Sequence, residues 1–190
     1  MPMIAPPPIR HFRAVNEQLL AGAQPTPSDY RILAAMGITT VIDLRSGSPI
    51  DPRPDDAEFL RHLGIEYIAL PLTDGHAPSG ELLDRFFASV ARAPGPVYVH
   101  CAAGVGRTTS VEMAYRSRLG MEHGVRQQLA VGPPTIEQIW FVASLGNGEP
   151  ASVPSVVQMT SRALDSPRHV IGRLRAIAAK MSSRKRLPAR

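Results

Sequence analysis

The chain is predicted to be an α/β protein with a largely parallel central sheet flanked by helices. Two observations carry this. From about residue 18 to 146, short apolar or β-branched runs alternate with segments of helical periodicity. The run Val97-Tyr98-Val99 opens directly into a glycine-bearing loop that leads into a helix-compatible stretch. That is where a strand, loop and helix unit of such a sheet gathers backbone N–H groups.

The elements follow in order. Gln18 to Gly22 is a short strand. Ser28 caps a helix over 29–36, which Gly37 ends. Thr39 to Leu44 is β-branched and apolar, a buried strand. Residues 46–54 carry Gly47 and three prolines and form a loop. A helix over 55–63 stops at Gly64, and Ile65 to Leu70 is a strand. After the loop 71–78, Ser79 caps a helix over 80–93, with Leu82, Leu83, Phe86, Phe87 and Val90 on one face. Residues 96–99 are the strand before the cysteine. Helices follow from Arg107 to about Leu119 and from Glu122 to Val131. A third starts at the Thr135/Gln138 capping box and carries Ile136, Ile139, Trp140, Val142 and Leu145.

This divides the chain into a proline-rich segment (1–14), one catalytic-type domain (15–146), a linker (147–165) and a basic helix and tail (166–190). Within the last, Val170, Ile171, Leu174, Ile177 and Met181 repeat at helical spacing over 166–181. The 190 residues suffice for one well-buried domain plus an extension, and 44% hydrophobic content is ordinary for a globular chain. The net charge of +5 is unevenly placed. Residues 162–190 hold nine Lys/Arg and one acid, Asp165, a net +8; residues 1–161 hold twelve Lys/Arg and fifteen Asp/Glu, a net −3. The tail is therefore the part suited to an acidic surface or an anionic membrane, and no specific nucleic-acid contact is expected of the body. The start lacks a basic and then apolar leader pattern, and no run of about 18 apolar residues spans a membrane. With a single cysteine and no internal disulfide, the expected location is the reducing cytoplasm.

Chemistry concentrates in His100-Cys101-Ala102-Ala103-Gly104-Val105-Gly106-Arg107-Thr108. Cys101 is the candidate nucleophile. A helix N-terminus and a neighbouring arginine are the two agents that favour a thiolate over a thiol. The N–H groups of Ala102, Ala103, Gly104, Val105 and Gly106 are candidates to cradle an oxyanion, with the glycines letting the loop wind. Arg107 can grip two phosphoryl oxygens at once, which lysine cannot. No clustered metal-ligand set is apparent, and neither a metal nor another cofactor is expected. The bland alternative for Cys101, a buried structural thiol, fits poorly with a full set of partners in one short loop.

The string resembles the signature His-Cys-x5-Arg-Ser/Thr of the protein tyrosine and dual-specificity phosphatase superfamily, with every fixed position filled. The resemblance implies that fold, and phosphate monoester hydrolysis through a cysteinyl-phosphate. It implies that His100 helps to hold the loop and tune the thiolate, and that the Thr108 hydroxyl stabilises the departing thiolate. It also implies a general acid for the leaving oxygen. Asp74, in the loop 71–79 where similar loops of dual-specificity phosphatases carry it, is the candidate, worth about 10²–10⁴-fold in rate. Asp43, Asp51, Asp55 and Asp56 are poorer ones: Asp43 ends a strand and the rest sit near a helix start, where acids cap. Two weaker substrate contacts are Arg45, after the strand 41–44, and His76, in the acid loop.

The expected substrate class is phosphotyrosine and phosphoserine/threonine in protein. The alternative is an inositol polyphosphate. Gly104 to Thr109, Met113, Tyr115, Arg126-Gln127 and Ile136-Glu137-Gln138 are similar to the tyrosine-phosphatase type of phytase. Gly75 departs from that pattern where a histidine follows the aspartate, and the chain is too short for the small extra barrel of many such phytases. No Asn-Arg-Tyr segment is present to deepen the pocket, so a shallow, broad one is expected. From other classes, an inactive phosphate-binding module would have lost the nucleophile or the acid, and a rhodanese-type sulfurtransferase would not need the acid.

Overall fold

The computed structural model describes residues 7–48, 51, 57–145 and 152–164. It contains a five-stranded sheet in the order β1-β2-β5-β3-β4. The strands are β1 (Arg13–Ala14), β2 (Leu19–Gly22), β3 (Thr40–Asp43), β4 (Glu66–Ala69) and β5 (Val97–His100). Only β1 is antiparallel, to β2; the other pairings are parallel. The predicted mixed fold with a largely parallel sheet is what forms.

β5 is the middle strand. It pairs with β2 from Leu19↔Val97 to Gly22↔His100 and with β3 from Thr40↔Val97 to Asp43↔His100. All four of its residues are buried, as expected of a parallel strand covered on both faces. Side chains alternate between two cores. Val97 and Val99 face Leu83, Phe86, Val111, Met113 and Phe141, whereas Tyr98 faces Tyr30, Leu33 and Leu60. The first core lies under α3 (Gly80–Arg92), α4 (Gly106–Arg118) and α6 (Ile136–Ser144); the second lies under α1 (Pro27–Ala35) and α2 (Ala57–His62). α5 (Val125–Val131) connects α4 to α6.

Four details differ from the sequence reading. The cap of α1 is Thr26, not Ser28: Thr26 and Asp29 form a reciprocal capping box and Pro27 takes the first helical position. The antiparallel strand β1 was not anticipated, because two residues carry no periodicity. α5 starts at Val125 rather than Glu122, after Gly124 at φ 148°, a backbone conformation that favours glycine. Finally, the expected linker 147–165 contains a helix, α7, over residues 155–164. Its Val156 and Met159 are exposed, so no apolar periodicity advertised it. The predicted helix 166–181 and basic tail lie outside the described residues. Among the described residues, no helix is long and apolar enough to cross a membrane.

Candidate active site

The centre of the sheet delivers the thiol. β5 ends at His100, and Cys101 starts the loop that leads into α4 at Gly106. Cys101 is 2% exposed and its Sγ accepts the Gly104 N–H at 3.2 Å. Two loop carbonyls are engaged on the outside: Ala102 O accepts the Gln24 N–H at 3.2 Å, and Gly104 O accepts from Arg13 Nη1 at 3.4 Å. A planar trans peptide with its carbonyl turned outward turns the following N–H inward, so these contacts aim the N–H groups of Ala103 and Val105 into the loop. Gly104 has φ 76°, and a Cβ there would stand 2.4 Å from both Ala23 N and Gly22 C. Conformation and space both demand glycine.

Arg107 is 2% exposed, in the first turn of α4. Asp51 takes the outer fork of its guanidinium: Nη1 donates to Oδ2 in a short contact and Nη2 to Oδ1 at 3.2 Å. Nη1 also donates to Leu72 O at 3.2 Å. The Nε edge faces Asp74, whose Oδ1 lies 3.1 Å away, although the N–H direction misses the oxygen and no hydrogen bond forms. Burial works against the Arg107 charge, but its bonds to Asp51 and the nearby Cys101 and Asp74 outweigh it, and its pKa is raised. Burial likewise opposes the Asp51 carboxylate, and the bonds from Arg107 and from Ser46 bring its pKa below the ordinary value. Arg107 and the N-terminus of α4 thus put positive charge beside the thiol.

Asp74 meets this centre at the Nε edge of Arg107. Its side chain is 60% exposed, in a turn completed by Gly75 at φ 82°. The arrangement brings together a buried thiol, a fixed guanidinium and an exposed carboxyl.

Two further predicted residues lie behind the loop. His100 is fully buried, its Nδ1 3.2 Å from Cys101 O and 3.9 Å from Asp43 Oδ1. Burial outweighs the pull of Asp43 and lowers its pKa to about 4, so the ring is neutral at pH 7 and serves the loop as a hydrogen-bonding brace. Thr108 is fully buried, and its Oγ1 has no hydrogen-bond partner among the described residues. That hydroxyl is uncommitted, in the first turn of α4 directly after the loop.

Arg45 and His76 are placed differently from expectation. Arg45 is 1% exposed, and its Nε and Nη2 grip Asp43 Oδ1 and Oδ2 at 3.0 and 2.7 Å. Residues two apart at a strand end share a face, so the aspartate takes the guanidinium that was expected to meet substrate. Tyr67 adds an O–H bond to the same carboxylate at 2.7 Å. His76 is half-buried and lines a cavity of about 350 Å³ with Ser79, Glu137, Phe141, Gln158 and Arg162. No residue of the phosphate loop lines that cavity.

Sequence reasoning passed over Asp51 as a cap, whereas here it is the partner of Arg107. Nothing local signals this, because the two meet across 56 positions of sequence. Among the described residues, no group of three or more His, Cys, Asp or Glu is gathered to hold a metal ion.

This geometry has known relatives. Human dual specificity protein phosphatase 14 is 32% identical over 117 residues, which cover 60% of this chain and 54% of that protein. The chain spans about half the length of the curated relatives it matches first. Among solved structures, a DUF442 protein of Shewanella putrefaciens CN-32 aligns with TM-score 0.57 at 27% identity, over 65% of this chain and 78% of that one. PTPMT1, solved in complex with PI(5)P, aligns with TM-score 0.60 at 16% identity, over 72% of this chain and 94% of that one, a likeness of fold. A family model, "DSP-PTPase phosphatase fused to NAD+ Kinase", matches residues 12–143 and so takes in the whole site from β1 to α6. With most of its length under that model, the chain belongs to this family, in the protein tyrosine/dual-specificity phosphatase superfamily.

Proposed function

We propose that the chain is a cysteine-dependent phosphatase acting on phosphate monoesters, and that its substrates are phosphorylated proteins. The observation that carries the reading is the meeting of Cys101, Arg107 and Asp74: nucleophile, oxyanion grip and proton donor in one place. The likeness to a dual specificity protein phosphatase supports the substrate class.

In this mechanism the ester dianion enters the loop with its oxygens on the inward N–H groups and on the Nε/Nη2 edge of Arg107, which Asp51 leaves open. Asp74 must leave Nε for the dianion to take that edge. The Cys101 thiolate attacks phosphorus, the P–O bond to the leaving group breaks, and Asp74 gives that oxygen its proton. Water then attacks the cysteinyl-phosphate and yields a proton to the Asp74 carboxylate. The S–P bond breaks, inorganic phosphate leaves, and the Thr108 hydroxyl donates to the released thiolate. Arg107 and the loop N–H groups stabilise the charge that shifts onto the equatorial oxygens in both steps.

The test is a turnover panel of phosphotyrosine, phosphoserine and phosphothreonine peptides beside inositol hexakisphosphate, with the native chain and Cys101→Ser. Peptide turnover that vanishes in Cys101→Ser, with oxyanion binding retained, is the expected outcome. Preferential turnover of the inositol phosphate would replace the substrate class. Retained turnover in the serine variant would refute the mechanism.

A further inference from the structure

The acid loop is held by one helical turn. Gly75 O accepts from Thr135 Oγ1 at 2.6 Å. His76 O accepts from Gln138 Nε2 at 3.2 Å. The Ala77 N–H donates to Glu137 Oε1 at 3.0 Å. Three consecutive loop residues, directly after Asp74, are thus each tied to a different residue of the first turn of α6. The same side chains close that turn on itself: Thr135 Oγ1 accepts the Gln138 N–H, and Gln138 Oε1 accepts the Thr135 N–H. Glu137 and Gln138 are 4% and 1% exposed, so these bonds are shielded from competing water.

The turn is anchored on two further sides. Gln138 packs against Gly106, where a Cβ would stand 2.5 Å from its Oε1, so the residue that holds the acid loop also abuts the start of α4 beside Arg107. The Glu137 N–H, one of the donors a helix start leaves unpaired, donates to Ser161 Oγ at 3.2 Å. Ser161 is 1% exposed and belongs to α7, which lies beyond the residues matched by the family model.

We propose that Thr135, Glu137 and Gln138, braced by Ser161, are positioning residues that hold Asp74 at the distance from Arg107 and Cys101 that proton delivery requires. This rests on Asp74 being the general acid. An exposed carboxyl on a free loop would sample many positions, and a shift of about 1 Å in a reacting group can cost about 10²-fold. α7 is then part of the catalytic apparatus through Ser161, and the region after residue 146 is more than a linker.

The experiment uses the full chain and two small esters, p-nitrophenyl phosphate with an activated leaving group and phenyl phosphate with a poor one. Only the poor one depends strongly on the acid. Glu137→Ala is expected to lower kcat on phenyl phosphate by about 10- to 100-fold and on p-nitrophenyl phosphate by about 2-fold or less, with KM little changed. Glu137→Gln, whose amide oxygen can still accept the Ala77 N–H, is expected to restore the rate. Ser161→Ala is expected to give a smaller loss of the same pattern, and it carries the test if Glu137→Ala does not fold. Equal losses on the two esters, or none, overturn the proposal. Asp74→Asn is the control. If it discriminates between the esters while the Glu137 and Ser161 variants do not, positioning fails and the phosphatase reading stands. A native chain that turns over neither ester overturns both.

Discussion

The phosphate loop, 101–107, and the acid loop, 71–79, supply the two halves of one site and are built by opposite means. The phosphate loop is short, contiguous and locked into the middle of the sheet, with Gly104 against the end of β2 and Arg107 buried against Asp51. The acid loop carries a side chain that is 60% exposed, and its backbone is held by bonds to residues 60 to 62 positions away. A nucleophile that must meet phosphorus in line gains from rigidity. A group that hands over a proton and takes it back must leave the Arg107 edge and return, and a loop tethered at 75–77 with Asp74 outside the tether suits that exchange.

This contrast can be broken experimentally. The largest effect is expected of Arg107→Lys. Lysine cannot hold Asp51 and an oxyanion at once, so kcat/KM is expected to fall about 10²–10³-fold on activated and poor leaving groups alike. A loss confined to poor leaving groups, measured on the same pair of esters, would put Arg107 on the acid side and erase the distinction.

Gly104→Ala comes next. The new methyl would collide with backbone atoms of β2 and the connection after it, at a φ that L residues rarely adopt. A loss of roughly 2–4 kcal/mol in urea unfolding is expected. A variant of native stability would mean that the phosphate loop is as adaptable as the acid loop.

The smallest effect concerns pH. His100, held at about 4 against an ordinary 6.5, binds fewer protons folded than unfolded, so its contribution is present above the unfolded value and is lost as pH falls toward the folded one. Between pH 7 and 5.5 the loss is about 1 kcal/mol, readable as a lower Tm. Asp43 and Asp51, both held below 3.8, add to it only in stronger acid. His100→Gln is expected to flatten the curve above pH 5. An unchanged slope would place the acid sensitivity outside the strand end that carries the nucleophile.

The same contrast governs what could be read from the sequence. The segment from His100 to Thr108 is legible because its chemistry is contiguous. Strands and helices were legible from periodicity, and the Thr135/Gln138 capping box from spacing, although its use as a clamp on another loop was not. Asp51 was illegible because its role depends on a loop folding back onto α4. Arg45 misled because a charge near a phosphate loop is read as facing it, whereas Asp43, two residues earlier, claims it. α7 was illegible because Val156, Met159 and Leu164 are exposed and its one buried residue is a serine.

The strand order has a consequence for how the molecule is made. Among the described residues β5 is the last strand in sequence and the middle one in the sheet, lying between β2 and β3. Until residue 100 has left the ribosome, β2 and β3 lack the partner that joins them, and a shortened chain ending before it has two strand clusters with unpaired inner edges. Such edges invite association with other chains. Closing the sheet requires contacts between distant parts of the chain, such as Leu19 with Val97, which slows folding. The thiol directly follows the strand that completes the sheet, so closing the sheet and setting the nucleophile at its centre are one folding event.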